Sequence, residues 1–209
     1  MTTFDYIIVG GGSAGSVLAN RLSAHPGKRV LLCEAGKDLP NENLPEAILD
    51  SYPGTAYLNP EYLWPDLHVT TLSADRSLDP PRKLRKYEQA RILGGGSSIN
   101  GQFFNRGAPR DYDDWVARGA KGWSWEEVLP YFRKVERDVD FDGPLHGQSG
   151  RIPVRRIFAD AWPKHATAVA AALREMGYDY LPDQNGEFKD GYFPIAISNL
   201  DEKRVSASM

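Results

Sequence analysis

The chain has 209 residues, 41% of them hydrophobic and 25% charged, with a formal net charge of -3. That length holds one domain or two small ones around a buried core, and the composition excludes a wholly disordered chain. The mildly acidic balance gives no global attraction to nucleic acid or to an anionic membrane; no stretch approaches the roughly 20 apolar residues of a membrane span, and the N-terminus lacks the basic start and apolar run of a secretory signal.

A cytoplasmic protein is therefore expected, with the single Cys33, set in an apolar run, read as a buried thiol in a reducing compartment. Phe4 to Val9 is a short aliphatic run, expected as a strand covered on both faces in a parallel sheet. Gly10, Gly11 and Gly12 follow. Ser13 to Ala24 then carries Val17, Leu18 and Leu22 at helical spacing, and Pro26-Gly27 stops it. Residues 29–33, RVLLC, read as a second buried strand with Glu34 at its end. Gly10-x-Gly12-x-x-Gly15 between a strand and a helix, followed by an acid after the next strand, is the dinucleotide-binding fingerprint. Gly10 permits the tight turn, Gly12 lets a pyrophosphate approach the backbone, and Gly15 lets helix and strand pack closely. The amides around Ser13 and Ala14 face the phosphates at the positive end of the helix dipole, and Glu34 accepts hydrogen bonds from the adenosine ribose. A ligand-free glycine turn is the competing reading, and FAD and NAD are not distinguished at this point.

Gly36 to about Tyr62 is rich in Pro, Asn and Glu without periodicity, and is expected as a long surface loop, or else a lid or dimer contact. Trp64 either packs on the cofactor or is a buried structural tryptophan. Arg82 to Lys86, RKLRK, reads as a solvated strand or turn. A second glycine cluster, Gly94-Gly95-Gly96-Ser97-Ser98, lies between Arg91 and Asn100 and is flanked by apolar Ile92, Leu93, Ile99, Phe103 and Phe104. It reads as a flexible turn or as a backbone cradle for a second polar part of a large cofactor. Ser124 with Glu127 predicts a reciprocally capped helix start, Pro130 a kink or a fresh helix, and Trp123, Trp125, Tyr131 and Phe132 core anchors. Residues 151–155 predict a strand, Trp162 to Met176 a helix ended by Gly177, and Tyr192 to Ser198 another strand. The expected organisation is a cofactor domain over 1–150, the first segment of a substrate domain over 151–205, and a return to the first domain at 206–209.

Residues 5–23, DYIIVGGGSAGSVLANRLS, with VLLCEAG at 30–36 and the segment Ala90 to Asp113, resemble the glucose–methanol–choline (GMC) family of flavin oxidoreductases. The resemblance continues through GWSWEEVLPYFRKVERD and HGQSGRIPV to RVSAS, covering essentially the whole chain. YEQARILGGGSSIN, PRDYDDW and DGYFP look closest to the branch that oxidises hydroxymethyl-bearing aromatic alcohols. The resemblance implies an α/β architecture: a Rossmann-like FAD-binding domain with the beginning of an α+β substrate domain, incomplete relative to the family. It places Gly12, Ser13 and Ala14 on the pyrophosphate and Glu34 and Ala35 on the adenosine side. Arg91, Leu93, Gly95, Gly96, Asn100 and Gly101 fall along the pyrophosphate, ribityl chain and isoalloxazine. Ile99 stands where some members carry a histidine bonded covalently to the flavin, so FAD is expected to be held noncovalently. Gly96 replaces a serine of other members, leaving backbone binding at that point.

The implied reaction converts a primary alcohol to an aldehyde by hydride transfer to flavin N5, with oxygen or another acceptor taking the electrons. None of His25, His68, His146 and His165 matches the family's catalytic histidine. They read as surface or helix-end positions (His25, His165) and loop or strand positions (His68, His146), and no catalytic residue is assigned. No His/Cys/Asp cluster has metal-ligand spacing, and Ser97 and Ser98 lack a base partner. Family members are more than twice as long, so the chain is expected to be an N-terminal portion, inactive alone, whose partner is the remaining part of the enzyme or a second copy. A nicotinamide-dependent dehydrogenase and a noncatalytic FAD-binding or dimerisation remnant are the alternatives.

Overall fold

The computed structural model describes residues 2–70 and 84–209. The chain forms two compact units, one running to Gly101 and including Ser206–Met209, the other spanning Gln102–Val205. Residue 150 lies inside the second unit, where strands on either side of it share one sheet.

In the first unit, β1 (Tyr6–Val9) lies parallel to β2 (Val30–Cys33), with Tyr6 opposite Val30 and Val9 opposite Cys33. Helix α1 (Ser13–Ser23) makes the crossover. The sequence predicts strands covered on both faces; the structure covers one. Ile8 is buried toward α1, near Gly15, whereas Ile7 is 64% and Val9 87% exposed. Cys33 is likewise exposed rather than a buried thiol. An apolar strand records what its residues tolerate on each face, not whether an element is there to supply it.

The segment expected as a surface loop is instead the main source of core. It contains 3-10 turns at Asn41–Asn43 and Pro60–Tyr62 and two one-turn helices, α2 (Glu46–Leu49) and α3 (Gly54–Tyr57). Pro45 and Pro53 cap α2 and α3, and Pro60 opens the second 3-10 turn, sites where the missing N–H costs no helical hydrogen bond. Ile48, Ala56 and Tyr62 from this stretch pack with Leu63, Ile92 and Ile99 as one buried cluster. Short β3 (His68–Val69) and β4 (Arg85–Lys86) pair antiparallel, and Arg85 and Lys86 are exposed, while Arg82 and Lys83 lie outside the described residues.

The second unit opens with α4 (Pro109–Ala117) and α5 (Trp125–Val135). Ser124 Oγ accepts from Glu127 N at 3.3 Å and Ser124 N donates to Glu127 Oε2 at 3.0 Å, the predicted reciprocal cap. Helix α5 runs through Pro130, and no fresh helix begins there. The predicted aromatic anchors are not a sealed core: Trp123 is 53% and Tyr131 69% exposed, Trp125 and Phe132 are half-buried, and Val128 and Tyr112 are the buried members. Tyr112 sits at the centre, 5.3 Å from the Trp115 ring and 5.9 Å from Phe132. Beyond α5, β5 (Glu136–Asp138) pairs parallel with β6 (Ile152–Arg156), which pairs antiparallel with β7 (Ala196–Ile197). The strand predicted over 192–198 is thus reduced to two residues, since Pro194 cannot donate to a ladder. Helix α6 (Lys164–Glu175) ends before Gly177 at φ +90°, and β8 (Asn199–Leu200) and β9 (Lys203–Arg204) close a hairpin.

If the 36–62 segment is core, Ile48→Ala costs about 2–5 kcal/mol in urea denaturation; a surface-loop residue would cost less than about 0.5 kcal/mol.

Candidate cofactor site

The site is built on two glycine turns of the first unit. Gly10 takes φ +95°, which reverses the chain between β1 and α1. A Cβ on Gly15 would stand 1.9 Å from the Gly10 carbonyl oxygen, so this glycine is required by the protein's own backbone. Helix α1 then starts with Gly12 as N-cap, no side-chain cap and no acid in its first turn. Its first amides have no acceptor within the helix, and Ser13 and Ala14 are exposed.

The second turn is a 3-10 helix, Gly95–Ser98, entered through Gly94. Gly94 N donates to the Gly11 carbonyl at 2.7 Å, and a Cβ on Gly95 would stand 2.7 Å from Gly12 Cα. The two turns therefore meet backbone to backbone. Ser97 Oγ donates to Gly94 O at 2.6 Å and accepts from Ala207 N at 2.9 Å, while Ser98 Oγ donates to Leu93 O at 3.0 Å. Both hydroxyls hold the loop. Gly12 is different from Gly15 and Gly95: its φ is -74°, and a Cβ there would meet no protein atom nearer than Gly95 Cα at 3.9 Å. Neither strain nor a protein neighbour explains a glycine at that point, and the open space beside it fits a ligand that lies on the main chain.

Glu34 closes the rear of the first turn. Its Oε2 accepts from Gly11 N at 2.6 Å and its Oε1 from Gly36 N at 2.7 Å. Arg91 Nε donates to the Ala35 carbonyl at 3.1 Å, and its guanidinium lies 5.1 Å from the centre of the half-exposed Trp64 ring. Trp64 and Arg91, with Pro65, Asp66, Leu67 and Gln89, line a cavity of about 550 Å³. Leu93 N donates to Lys37 O at 3.0 Å, and its side chain abuts Gly11. Gly96 and Asn100 lie exposed on and just after the second turn, with Asn100 N donating to Gly96 O at 2.8 Å, and Gly101 ends the unit half-buried. Ile99 is buried in the hydrophobic cluster. Sequence reasoning missed Gly11 and Gly36, although both are glycines beside the motifs it used.

Residues 4–208 match the GMC oxidoreductase family model. The chain belongs to the GMC oxidoreductase family. It is 50% identical over 210 residues to 5-(hydroxymethyl)furfural oxidase of Methylovorus sp., covering 99% of this chain and 39% of that protein. Pyridoxine 4-oxidase from Mesorbium loti superposes with a TM-score of 0.80 at 31% identity, over 99% of this chain and 38% of that one. An FAD-dependent oxidoreductase from Chaetomium thermophilum gives 0.81 at 29% identity, over 98% of this chain and 35% of that one. The GMC chain thus spans well under half the length of each of these relatives. GMC oxidoreductases are FAD-binding flavoproteins.

The second unit of this GMC chain holds a cluster that sequence spacing does not reveal. Buried Glu136, Asp138 and Asp183 face Arg106, Arg156 and His146. Arg106 Nη2 lies 2.5 Å from Glu136 Oε1, and Arg156 reaches Asp138 at 2.5 Å and Asp183 at 2.6 Å. His146 bridges Asp138 through Nδ1 and Asp183 through Nε2, each at 3.0 Å. Glu136, Asp138 and His146 are close enough to share a metal ion, so the structure assembles a group that the sequence reading found no spacing for. Three buried carboxylates face two guanidiniums and, once protonated, one imidazolium, and the partly exposed Asp140 lies 3.9 Å from Arg156 as a fourth acid. Burial opposes the charge on His146, but the hydrogen bonds and charges of Asp138, Asp183 and Glu136 outweigh it and push its pKa up to about 10. The carboxyls of Glu136, Asp138 and Asp183 are likewise held below their ordinary values despite burial, by His146 and the two arginines.

The pH dependence has two limbs. The His146 contribution is complete below its unfolded value of 6.5 and is lost as pH rises through about 10. The carboxylate contributions are complete above their unfolded values and are lost in acid. The urea midpoint of the protein is expected to peak at about pH 5–6, and His146→Gln is expected to flatten the alkaline limb.

Proposed function

We propose that this chain carries the FAD-holding turns of a flavin-dependent oxidase or dehydrogenase that converts a primary, hydroxymethyl-bearing aromatic alcohol to its aldehyde. The observation that supports the cofactor reading is Gly12, whose missing side chain leaves open space against a bare helix N-terminus. The substrate class is suggested by the relatives named for hydroxymethylfurfural and pyridoxine, both hydroxymethyl groups on aromatic rings.

Bound FAD supplies the two-electron acceptor for the hydride that leaves the alcohol carbon. The chain's task is to hold and orient it. Gly10, Gly12 and Gly15 shape the first turn, and the amides of Ser13 and Ala14 neutralise the diphosphate at the positive end of α1. Glu34 and Ala35 take the adenosine end, Trp64 packs on the cofactor, and Arg91 lies along the pyrophosphate. Leu93, Gly95, Gly96, Asn100 and Gly101 run along the rest of the dinucleotide. Attachment is noncovalent at Ile99, whose hydrocarbon side chain is spent in the core.

The hydroxyl proton of the alcohol needs a base, and none is assigned to this chain. His146 is sealed among charges, and His25, His68 and His165 are exposed. Oxygen or another acceptor regenerates the flavin, and the working unit includes further protein, from the same polypeptide or a second copy. A cytoplasmic location fits this reading; among the described residues no helix is long and apolar enough to cross a membrane. The nicotinamide-dehydrogenase alternative leaves the second glycine turn, packed on the first, without a purpose.

Titration of the full-length protein with FAD, followed by flavin fluorescence, tests the cofactor reading. Gly12→Ala is expected to weaken FAD binding by about tenfold, or 1.4 kcal/mol, while the N-cap change costs the protein no more than about 1 kcal/mol in urea denaturation. Equal affinity of the two proteins for FAD would overturn the placement.

A further inference from the structure

The FAD reading gives Glu34 one task, accepting hydrogen bonds from the adenosine ribose. Its geometry carries a second. One carboxylate oxygen accepts from Gly11 N at 2.6 Å and the other from Gly36 N at 2.7 Å. The far side of Gly11 is also engaged, because its carbonyl accepts from Gly94 N at 2.7 Å and from Ser16 Oγ at 3.1 Å. Gly36 lies against the backbone of the second motif, where an added Cβ would stand 2.2 Å from the Arg91 carbonyl and from Ile92 N. Leu93 N bonds the carbonyl of Lys37 at 3.0 Å. The Glu34 side chain therefore ties segment 10–12 to segment 34–37, and segment 91–95 packs on the backbone of both.

We infer that Glu34 is a positioning residue: its carboxylate presets the pyrophosphate-binding turn by tying Gly11 to Gly36, separately from any contact with ribose. A carboxylate suits this because it accepts at both oxygens and donates at neither. Glutamine presents one acceptor and one NH2, so one of the two amides faces a donor. Aspartate keeps the charge but is one methylene shorter. With Gly11 released, the path of Gly12 and of the first α1 amides is no longer fixed before the ligand arrives, and the ordering cost falls on binding.

The affinity part of the test rests on the FAD reading; the exchange part does not. In the FAD-free full-length protein, hydrogen exchange at the Gly11 and Gly36 amides is expected to quicken by about tenfold or more in Glu34→Gln. Dissociation constants are then measured for FAD and for an FAD analogue lacking the adenosine 2′- and 3′-hydroxyls. Glu34→Gln is expected to weaken the analogue by about tenfold and FAD by at least as much. Unchanged exchange at both amides, or a loss confined to FAD with the analogue bound equally by both proteins, would overturn the inference. Failure of the unaltered protein to bind FAD would refute the cofactor reading instead, and the exchange rates would still decide the role of Glu34. Should Glu34→Gln not fold, Glu34→Asp gives the same two readouts.

Discussion

The first unit depends on a contact in which no side chain takes part: the Gly94 amide on the Gly11 carbonyl, with Gly95 Cα pressed toward Gly12. Two turns more than eighty residues apart in sequence are joined first by main chain, and the rest of the unit keeps them there. The β1–β2 register delivers Gly10 and Glu34 to the same end of the sheet. The hydrophobic cluster does the corresponding work for the second turn, since Ile92 and Ile99 bracket it and both are buried against Ile48, Ala56, Tyr62 and Leu63. The proline-rich stretch after β2 is therefore what anchors the second glycine turn from behind.

What the sequence made legible was local. The βαβ order, the start of α1, the reciprocal cap at Ser124 and the glycine stop after α6 each rest on residues within a turn or two of one another, where propensity and capping chemistry act directly. The 36–62 stretch was opaque because one-turn helices begun by prolines have no periodicity to detect, yet three of their residues reach the core. Exposure of Ile7, Val9 and Cys33 was equally invisible, since apolar residues do not reveal which neighbour covers them. The ionic cluster joins positions 106, 136, 138, 146, 156 and 183, a set that only the fold brings together. Within the candidate site, the fingerprint gave the glycines and the acid, but Glu34's hold on Gly11 and Gly36 is a property of two converging segments.

The two units treat polar groups in opposite ways. In the first, a helix begins without a capping side chain and its leading residues stay exposed, which keeps backbone donors available at a modest cost in stability. In the second, charges are removed from water and matched among themselves, which is stabilising only when every member has its counterpart.

That matching restricts how the second unit can vary over evolutionary time. A lone acid-to-amide replacement strands a guanidinium away from solvent, whereas loss of an acid together with its basic mate preserves electroneutrality, so drift here should proceed by compensated exchange. Distant positions such as Arg106 and Glu136 are thereby bound to a common fate, and divergent homologues should carry both members of that couple or neither.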